Sequence, residues 1–175
     1  MLLAITRFLF PKVCLYCREI HPDKGLLCER CLVGLDLLFP RGRCYTCFRE
    51  SERRKCLACF KQPSPWYQAG ALFSSYSSGT VLLQDPDRFG REIAAFFIIQ
   101  YIRMRWPLPD AFYVEGDLKP ISSYIRKFLP IKRASKRIEY GGKKILYFTK
   151  DAAECEIPEF LLGSRIYLLS YTHFD

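Results

Sequence analysis

Eight of the nine cysteines fall into four pairs in which two residues separate the partners. This spacing lets both thiolates of a tight turn contact one ion, and two such pairs supply the tetrahedral four-sulfur shell of structural zinc. Four pairs therefore predict two zinc ions. Either consecutive pairs share an ion, as in tandem zinc ribbons, or alternate pairs do, as in a cross-brace. The predicted ligands are Cys14, Cys17, Cys28, Cys31, Cys44, Cys47, Cys56 and Cys59.

Four-sulfur shells leave no open coordination position, so the metal is expected to stabilise the fold rather than to activate water. The alternative is a disulfide framework, which we disfavour because no export signal is predicted and intracellular thiols stay reduced. His21 is expected to be a loop residue, and His173 is far along the chain from the paired cysteines. Cys155 lies between Glu154 and Glu156, whose charges are expected to raise the pKa of its thiol.

Basic side chains are concentrated in residues 119–150, which hold ten basic residues and one acidic residue. They could neutralise several phosphates, with Tyr124, Phe128 and Tyr140 among them as stacking surfaces. The alternative is a solvated helix face. The predicted DNA-binding residues of this block are Arg126, Lys127, Lys132, Arg133, Lys136 and Arg137. A second basic set lies near the last two cysteine pairs and comprises Arg41, Arg43, Arg49, Arg53, Arg54 and Lys55.

The elements that position these residues belong to a chain of 175 residues with a formal net charge of +9. Half of the residues are hydrophobic, which is too apolar a composition for a disordered chain. The length excludes a large multidomain machine. The first residues lack the basic start and cleavage site of a secretory signal, and the longest apolar run is too short to span a membrane. We expect a cytoplasmic protein.

A change of composition after Lys61 predicts a cysteine module over residues 1–64 and a second domain over residues 65–175. Chelation is then expected to unfold residues 1–60 and to affect residues 66–175 less. The segment 85–106 predicts a long helix packed on more than one side, and a shorter helix is expected from Ser122 or Ser123. Apolar runs predict a strand or hairpin after residue 65 and strands near 109–116, 141–149 and 165–171. This alternation indicates an α/β layer with a mostly parallel sheet.

The cysteine segments LFPKVCLYC, LLCERCL, CYTCFRE and CLAC, followed by an aromatic-rich segment and a helix after DRFG, resemble the ComF family of competence proteins. The resemblance is specific over residues 8–60 and looser over residues 66–105. It implies a double zinc ribbon joined to a truncated type I phosphoribosyltransferase-like domain. It also implies an accessory role in the uptake of transforming DNA, with single- or double-stranded DNA and a DNA translocase as partners.

The strand GGKKILYF is similar to the family strand that ends in two adjacent acids and leads into a Thr-Thr-Gly loop for the phosphate of phosphoribosyl pyrophosphate. Here the next residues read TKDAAE, so the phosphate-site candidates are Lys150 and Asp151. The family's Arg-Gly-Phe-Asn segment is also missing, and we predict no catalytic residue. The resemblance, together with these departures from it, therefore favours a ComF-like binding or accessory protein of DNA uptake without transferase activity. The alternative is an active, Mg²⁺-dependent transferase with a diverged site.

Overall fold

Five strands form one sheet in which every neighbouring pair is parallel. The computed structural model describes residues 13–20, 26–62, 64–74, 76–135, 140–152 and 155–173. The strands in chain order are β1 Gln68–Ser74, β2 Ala111–Val114, β3 Lys132–Arg133, β4 Lys144–Asp151 and β5 Arg165–His173. Their spatial order is β1-β5-β4-β2-β3. The predicted α/β class with a parallel sheet is confirmed.

The central strands β4 and β5 are covered on both faces. The run from Ile145 to Phe148 in β4 is fully buried, as are Leu168 and Leu169 in β5. Continuous apolar runs of this kind are typical of parallel strands, because helices or loops cover both sides of such sheets. The segment after residue 65 forms a strand and not a hairpin, since β1 pairs in parallel with the distant β5.

Within the described ranges, four α-helices and three 3₁₀ helices connect and cover the strands. The α-helices are α1 Glu29–Val33, α2 Leu57–Lys61, α3 Pro86–Met104 and α4 Ser122–Phe128, and the 3₁₀ helices are Ser78–Gln84, Gly116–Ile121 and Glu159–Leu161. The long predicted helix is α3. Its first turn is capped by the Asp85 carboxylate, which accepts a hydrogen bond from the Arg88 N–H at 3.1 Å. Within the described residues no helix is both long and apolar enough to cross a bilayer.

The buried hydrophobic residues of the described part of the chain form two clusters, one on each face of the sheet. On one face α3 packs against the strands, with the Phe97 ring 5.0 Å from the Phe148 ring. This cluster also contains three cysteines of the first two pairs, Cys14, Cys28 and Cys31. The other cluster contains Tyr147 and Leu168 together with Phe48, which follows the third pair. Both halves of the cysteine-rich segment therefore contribute to the core around the sheet.

Buried hydrogen bonds attach the segment between the second and third cysteine pairs to the sheet. The Leu38 N–H donates to the Leu72 carbonyl at 2.8 Å. The Gln100 amide on α3 donates to the Leu38 and Ala71 carbonyls at 3.0 and 2.7 Å, and this side chain is fully buried. The division at residue 64 stays a prediction, and hydrogen bonds cross it.

Candidate metal centres and nucleic-acid interface

The eight paired cysteines form two groups, each built from consecutive pairs. The sulfur atoms of each group lie within 4.8 Å of one another, and all eight cysteines are free of disulfides. The Cys17 and Cys28 sulfurs are 3.7 Å apart, and the Cys47 and Cys56 sulfurs are 3.6 Å apart. A tetrahedron with Zn–S bonds of about 2.3 Å has edges of about 3.8 Å, so both groups fit one zinc ion each. The structure thus favours sequential pairing over the cross-brace.

Each group is built from a tight turn followed by a short helix. In the first, the Cys14 N–H donates to the Glu19 carbonyl at 2.9 Å and the Arg18 N–H donates back to the Cys14 carbonyl at 3.0 Å. This turn places Arg18 in the left-handed region, with φ at 63°. The helix α1 begins directly after Cys28, whose N–H donates to the Cys14 sulfur at 3.4 Å.

The second group repeats the first, shifted by 28 to 30 residues along the chain. Phe48 occupies the place of Arg18, with φ at 66°, and donates its N–H to the Cys44 carbonyl at 2.8 Å. The helix α2 begins after Cys56, whose N–H donates to the Cys44 sulfur at 3.3 Å. The two groups therefore share one backbone design, which is the local geometry of paired zinc knuckles.

The backbone around each group favours a thiolate at the first cysteine. Burial alone would raise the pKa of Cys14, but N–H donors from Cys28, Cys17 and Tyr16 outweigh it and lower the pKa to about 6. Burial raises the pKa of Cys31 to about 12. A bound zinc ion must therefore displace the proton of the Cys31 thiol, which its positive charge does readily.

The second group forms one wall of a cavity of about 890 Å³ near the amino-terminal end of β1. The opposite wall comes from β1 and from the residues that follow α3. The lining includes five basic and five aromatic side chains and, within the described part of the chain, no acidic one. We call this cavity the basic groove, and its basic and aromatic residues are Arg43, Arg53, Arg54, Lys55, Arg105, Tyr45, Phe48, Phe60, Tyr67 and Trp106.

Several aromatic rings of the basic groove are open to solvent. The exposed fractions of Tyr45, Phe60 and Tyr67 are 41%, 65% and 51%. Arg53 and Arg54 are exposed, whereas Arg43 is largely occupied by hydrogen bonds. Exposed rings beside cations offer both stacking surfaces and phosphate partners. The groove thus combines part of the second predicted basic set with aromatic residues that the sequence did not single out.

The predicted basic block lies at the other edge of the sheet. Arg126 and Lys127 are exposed on α4, and Lys132 and Arg133 are exposed on β3, the edge strand opposite β1. Basic residues on an edge strand also hinder edge-to-edge pairing between sheets, so this placement has a structural explanation as well. Three predicted positions, His21, Lys136 and Arg137, lie outside the described residues.

The two phosphate-site candidates lie where β4 ends. Lys150 lines a cavity of about 460 Å³ together with Gly116, Asp117 and Asp87. Asp151 is buried at the end of β4 and does not line this cavity. The carboxyl ends of parallel strands are where α/β proteins bind ligands, so this cavity lies in the expected place. Its lining, however, contains the acids Asp87 and Asp117 and only Lys150 of the two phosphate-site candidates.

A buried polar cluster beside this cavity was missed by the sequence analysis. The Glu115 carboxylate, directly after β2, accepts hydrogen bonds from the Thr149 hydroxyl and, at 3.3 Å, from the Tyr147 hydroxyl. Burial raises the pKa of the Cys155 thiol to about 12, with Glu115 and then Glu156 adding to the effect. The predicted direction for Cys155 is confirmed, but burial is the main cause. An acid directly after a short apolar strand was the available signal.

The two cysteine groups fit a double zinc ribbon, and the sheet fits an α/β domain beside it. The ComF resemblance rests on the cysteine segments of the sequence and stays a prediction. Comparisons of the chain with protein families, with curated proteins and with solved structures found no match.

Proposed function

We propose that this protein binds nucleic acid through the basic groove and uses two structural zinc ions to hold its fold. The observation that carries the proposal is the lining of the groove, which contains five basic and five aromatic side chains and, among the described residues, no acidic one. The basic side chains can neutralise phosphates, and unpaired bases can stack on the exposed rings. The exposed rings of Phe60 and Tyr67 therefore favour a single strand over a duplex.

The resemblance to the ComF family supplies the finer statement. We propose that the bound nucleic acid is DNA in the course of uptake, that a DNA translocase is a partner, and that the α/β domain acts as a scaffold. The exposed cations of α4 and β3 provide a second phosphate-binding surface at the opposite edge of the sheet. The edge strands β1 and β3 are four strand spacings apart, which is about 19 Å at roughly 4.8 Å per spacing, so the two surfaces lie at opposite edges of the sheet.

Fluorescence anisotropy with the zinc-loaded protein and a labelled 20-nucleotide oligothymidylate tests the proposal over a range of salt concentrations. Replacing Arg53 and Arg54 together by Ala should lower the slope of log affinity against log salt by about 1.4, because two single-strand phosphate contacts are lost. The double variant Arg126→Ala/Lys127→Ala measures the second surface in the same way. Arg91→Ala, at an exposed position of α3, is the control and should bind like the wild type.

Stacking is tested separately from charge. Phe60→Leu keeps an apolar side chain but removes the ring, so it should weaken binding of the oligonucleotide by about tenfold without changing the salt slope. A duplex of the same length should be affected much less. Binding of single strand and duplex that is absent or insensitive to salt would refute nucleic-acid binding altogether.

A second candidate function is phosphoribosyl transfer, and one observation favours it. Lys150 and Gly116 line a cavity at the carboxyl ends of β4 and β2, where a phosphate would be expected in such a fold. Calorimetric titration with phosphoribosyl pyrophosphate and Mg²⁺ tests this candidate, with Lys150→Ala as the comparison. Saturable heat that disappears in the variant supports a ligand site, whereas no heat at millimolar ligand leaves this domain as a scaffold.

A further inference from the structure

We propose that zinc in the second cysteine group, and not in the first, organises the basic groove, so that nucleic-acid binding requires metal at that one centre. The inference rests on the proposed function and adds how the groove is regulated. Loss of zinc from the second centre would then release the nucleic acid while the first centre stays intact.

Every cysteine of the second group has an immediate neighbour in the groove lining. Cys44 itself also contributes to the lining. The neighbours are Arg43 and Tyr45 beside Cys44, Phe48 after Cys47, Lys55 before Cys56 and Phe60 after Cys59. Four sulfur–metal bonds would therefore fix the backbone segments that carry half of the groove's basic and aromatic side chains.

Phe48 fixes one end of this wall in the core, whereas the end that carries Lys55 and Phe60 depends on a short helix. The helix α2 has five residues, which is too short for stability on its own. The Tyr45 N–H donates to the Arg54 carbonyl at 2.9 Å, and the Tyr45 carbonyl accepts from the Ala69 N–H at 3.0 Å, which joins the turn to β1. These bonds set the position of the turn, but Lys55 and Phe60 are held chiefly through Cys56 and Cys59. Short metal-bound modules of this type generally lose their structure without the ion.

The first group provides an internal comparison, because it has the same backbone design in a different place. None of its cysteines or their described neighbours lines the basic groove. Its sulfurs instead belong to the core cluster on the α3 face, and the Cys31 carbonyl accepts a hydrogen bond from Ser78 at 2.7 Å. Metal at the first centre therefore supports the core without shaping the groove.

Thermodynamic linkage makes the effect reciprocal. If zinc at the second centre raises the affinity for nucleic acid, nucleic acid must raise the affinity of that centre for zinc by the same factor. Loss of one stacked base and of one phosphate contact with the wall corresponds to roughly tenfold or more in affinity. Saturating nucleic acid should therefore raise the zinc affinity of one of the two centres by the same factor.

The test compares Cys56→Ser with Cys28→Ser, because these cysteines occupy equivalent positions before α2 and α1. Zinc content and anisotropy with the 20-nucleotide oligothymidylate are measured on the full chain. Each variant should lose about one zinc ion. Cys56→Ser should lose at least about tenfold in affinity, whereas Cys28→Ser should stay within about threefold as long as its circular dichroism shows a folded sheet.

Two further measurements distinguish a failure of this inference from a failure of the proposed function. Trypsin cleavage after Arg53, Arg54 and Lys55 should be rapid in Cys56→Ser and slow in the wild type, whatever the protein binds. In the wild type, saturating oligonucleotide should slow the release of one zinc ion to a chelating dye. Equal affinity of Cys56→Ser and wild type overturns the inference alone. Absence of oligonucleotide binding by the wild type overturns the proposed function and the inference with it.

Discussion

Ser78 joins the first metal centre to the α/β part of the chain through one buried hydrogen bond. Its hydroxyl donates to the Cys31 carbonyl at 2.7 Å, and the two residues are exposed by only 4% and 7%. Cys31 lies in α1, and a helix of five residues leaves its last carbonyls without helical partners. Ser78→Ala therefore removes the donor that satisfies a buried carbonyl of the first cysteine group.

The expected cost is about 1–3 kcal/mol in the free energy of unfolding, because a buried acceptor is left without a partner. Replacing a hydroxyl by hydrogen creates little cavity, so the loss of packing adds less than the loss of the hydrogen bond. A cost of about 2 kcal/mol corresponds to roughly a thirtyfold change in the folding equilibrium.

Urea unfolding at a fixed free zinc concentration measures the effect, because metal that binds only the folded chain contributes to stability. The control is Ser123→Ala, whose exposed hydroxyl donates to the Pro120 carbonyl at 3.4 Å and should matter by less than about 0.5 kcal/mol. Release of one zinc ion to a chelating dye should also become faster in Ser78→Ala.

A difference below about 0.5 kcal/mol between Ser78→Ala and the wild type would refute the reasoning. It would mean that water or another group replaces the hydroxyl as the partner of the Cys31 carbonyl. The packing of Cys14, Cys28 and Cys31 in the core cluster would still connect the first cysteine group with the sheet.

Three smaller predictions concern single residues. Burial raises the pKa of the Cys155 thiol to about 12, so at pH 8 it should react with iodoacetamide about a thousandfold more slowly in the folded protein than in the urea-unfolded chain. Mass spectrometry of the labelled protein measures the two rates. Equal rates would contradict the burial of this thiol. Arg18 has a φ of 63°, which glycine adopts freely and valine does not. Arg18→Gly should therefore raise the urea midpoint and Arg18→Val should lower it, and their free energies of unfolding should differ by about 1 kcal/mol or more. Equal midpoints would argue against that backbone geometry. Gly79→Ala should cost about 1–3 kcal/mol in urea unfolding, since a Cβ would lie 2.7 Å from the Phe73 ring; an unchanged midpoint would show that the ring moves freely.

The sequence was most informative where the chemistry is local. Paired cysteines at a two-residue spacing need only a turn to meet, and both groups formed as that spacing predicts. The helix α3 follows from the Asp85 cap and Pro86 at its start. The strands β4 and β5 follow from uninterrupted apolar runs. Each of these signals lies within a few residues of the feature that it predicts.

Features that depend on distant residues could not be predicted in the same way. The basic groove brings Tyr67 and Arg105 beside Arg54, and no local pattern connects these three positions. The two-residue strand β3 exists only because β2 offers it a partner. The Glu115 cluster likewise depends on the pairing of β2 with β4, which places Thr149 next to the end of β2.

The repeat of the two metal modules explains how one backbone design serves two roles. Leu15 and Tyr45 are equivalent, as are Leu27 and Lys55, since the Leu15 and Tyr45 N–H groups make matching hydrogen bonds across each module. In the first module Leu27 is buried and Leu15 packs against the core. In the second module the equivalent Tyr45 and Lys55 line the groove. The backbone of the cysteine module is thus the constant part, and basic and aromatic residues in place of leucines turn a core-facing module into one that lines the basic groove, where we propose that nucleic acid binds.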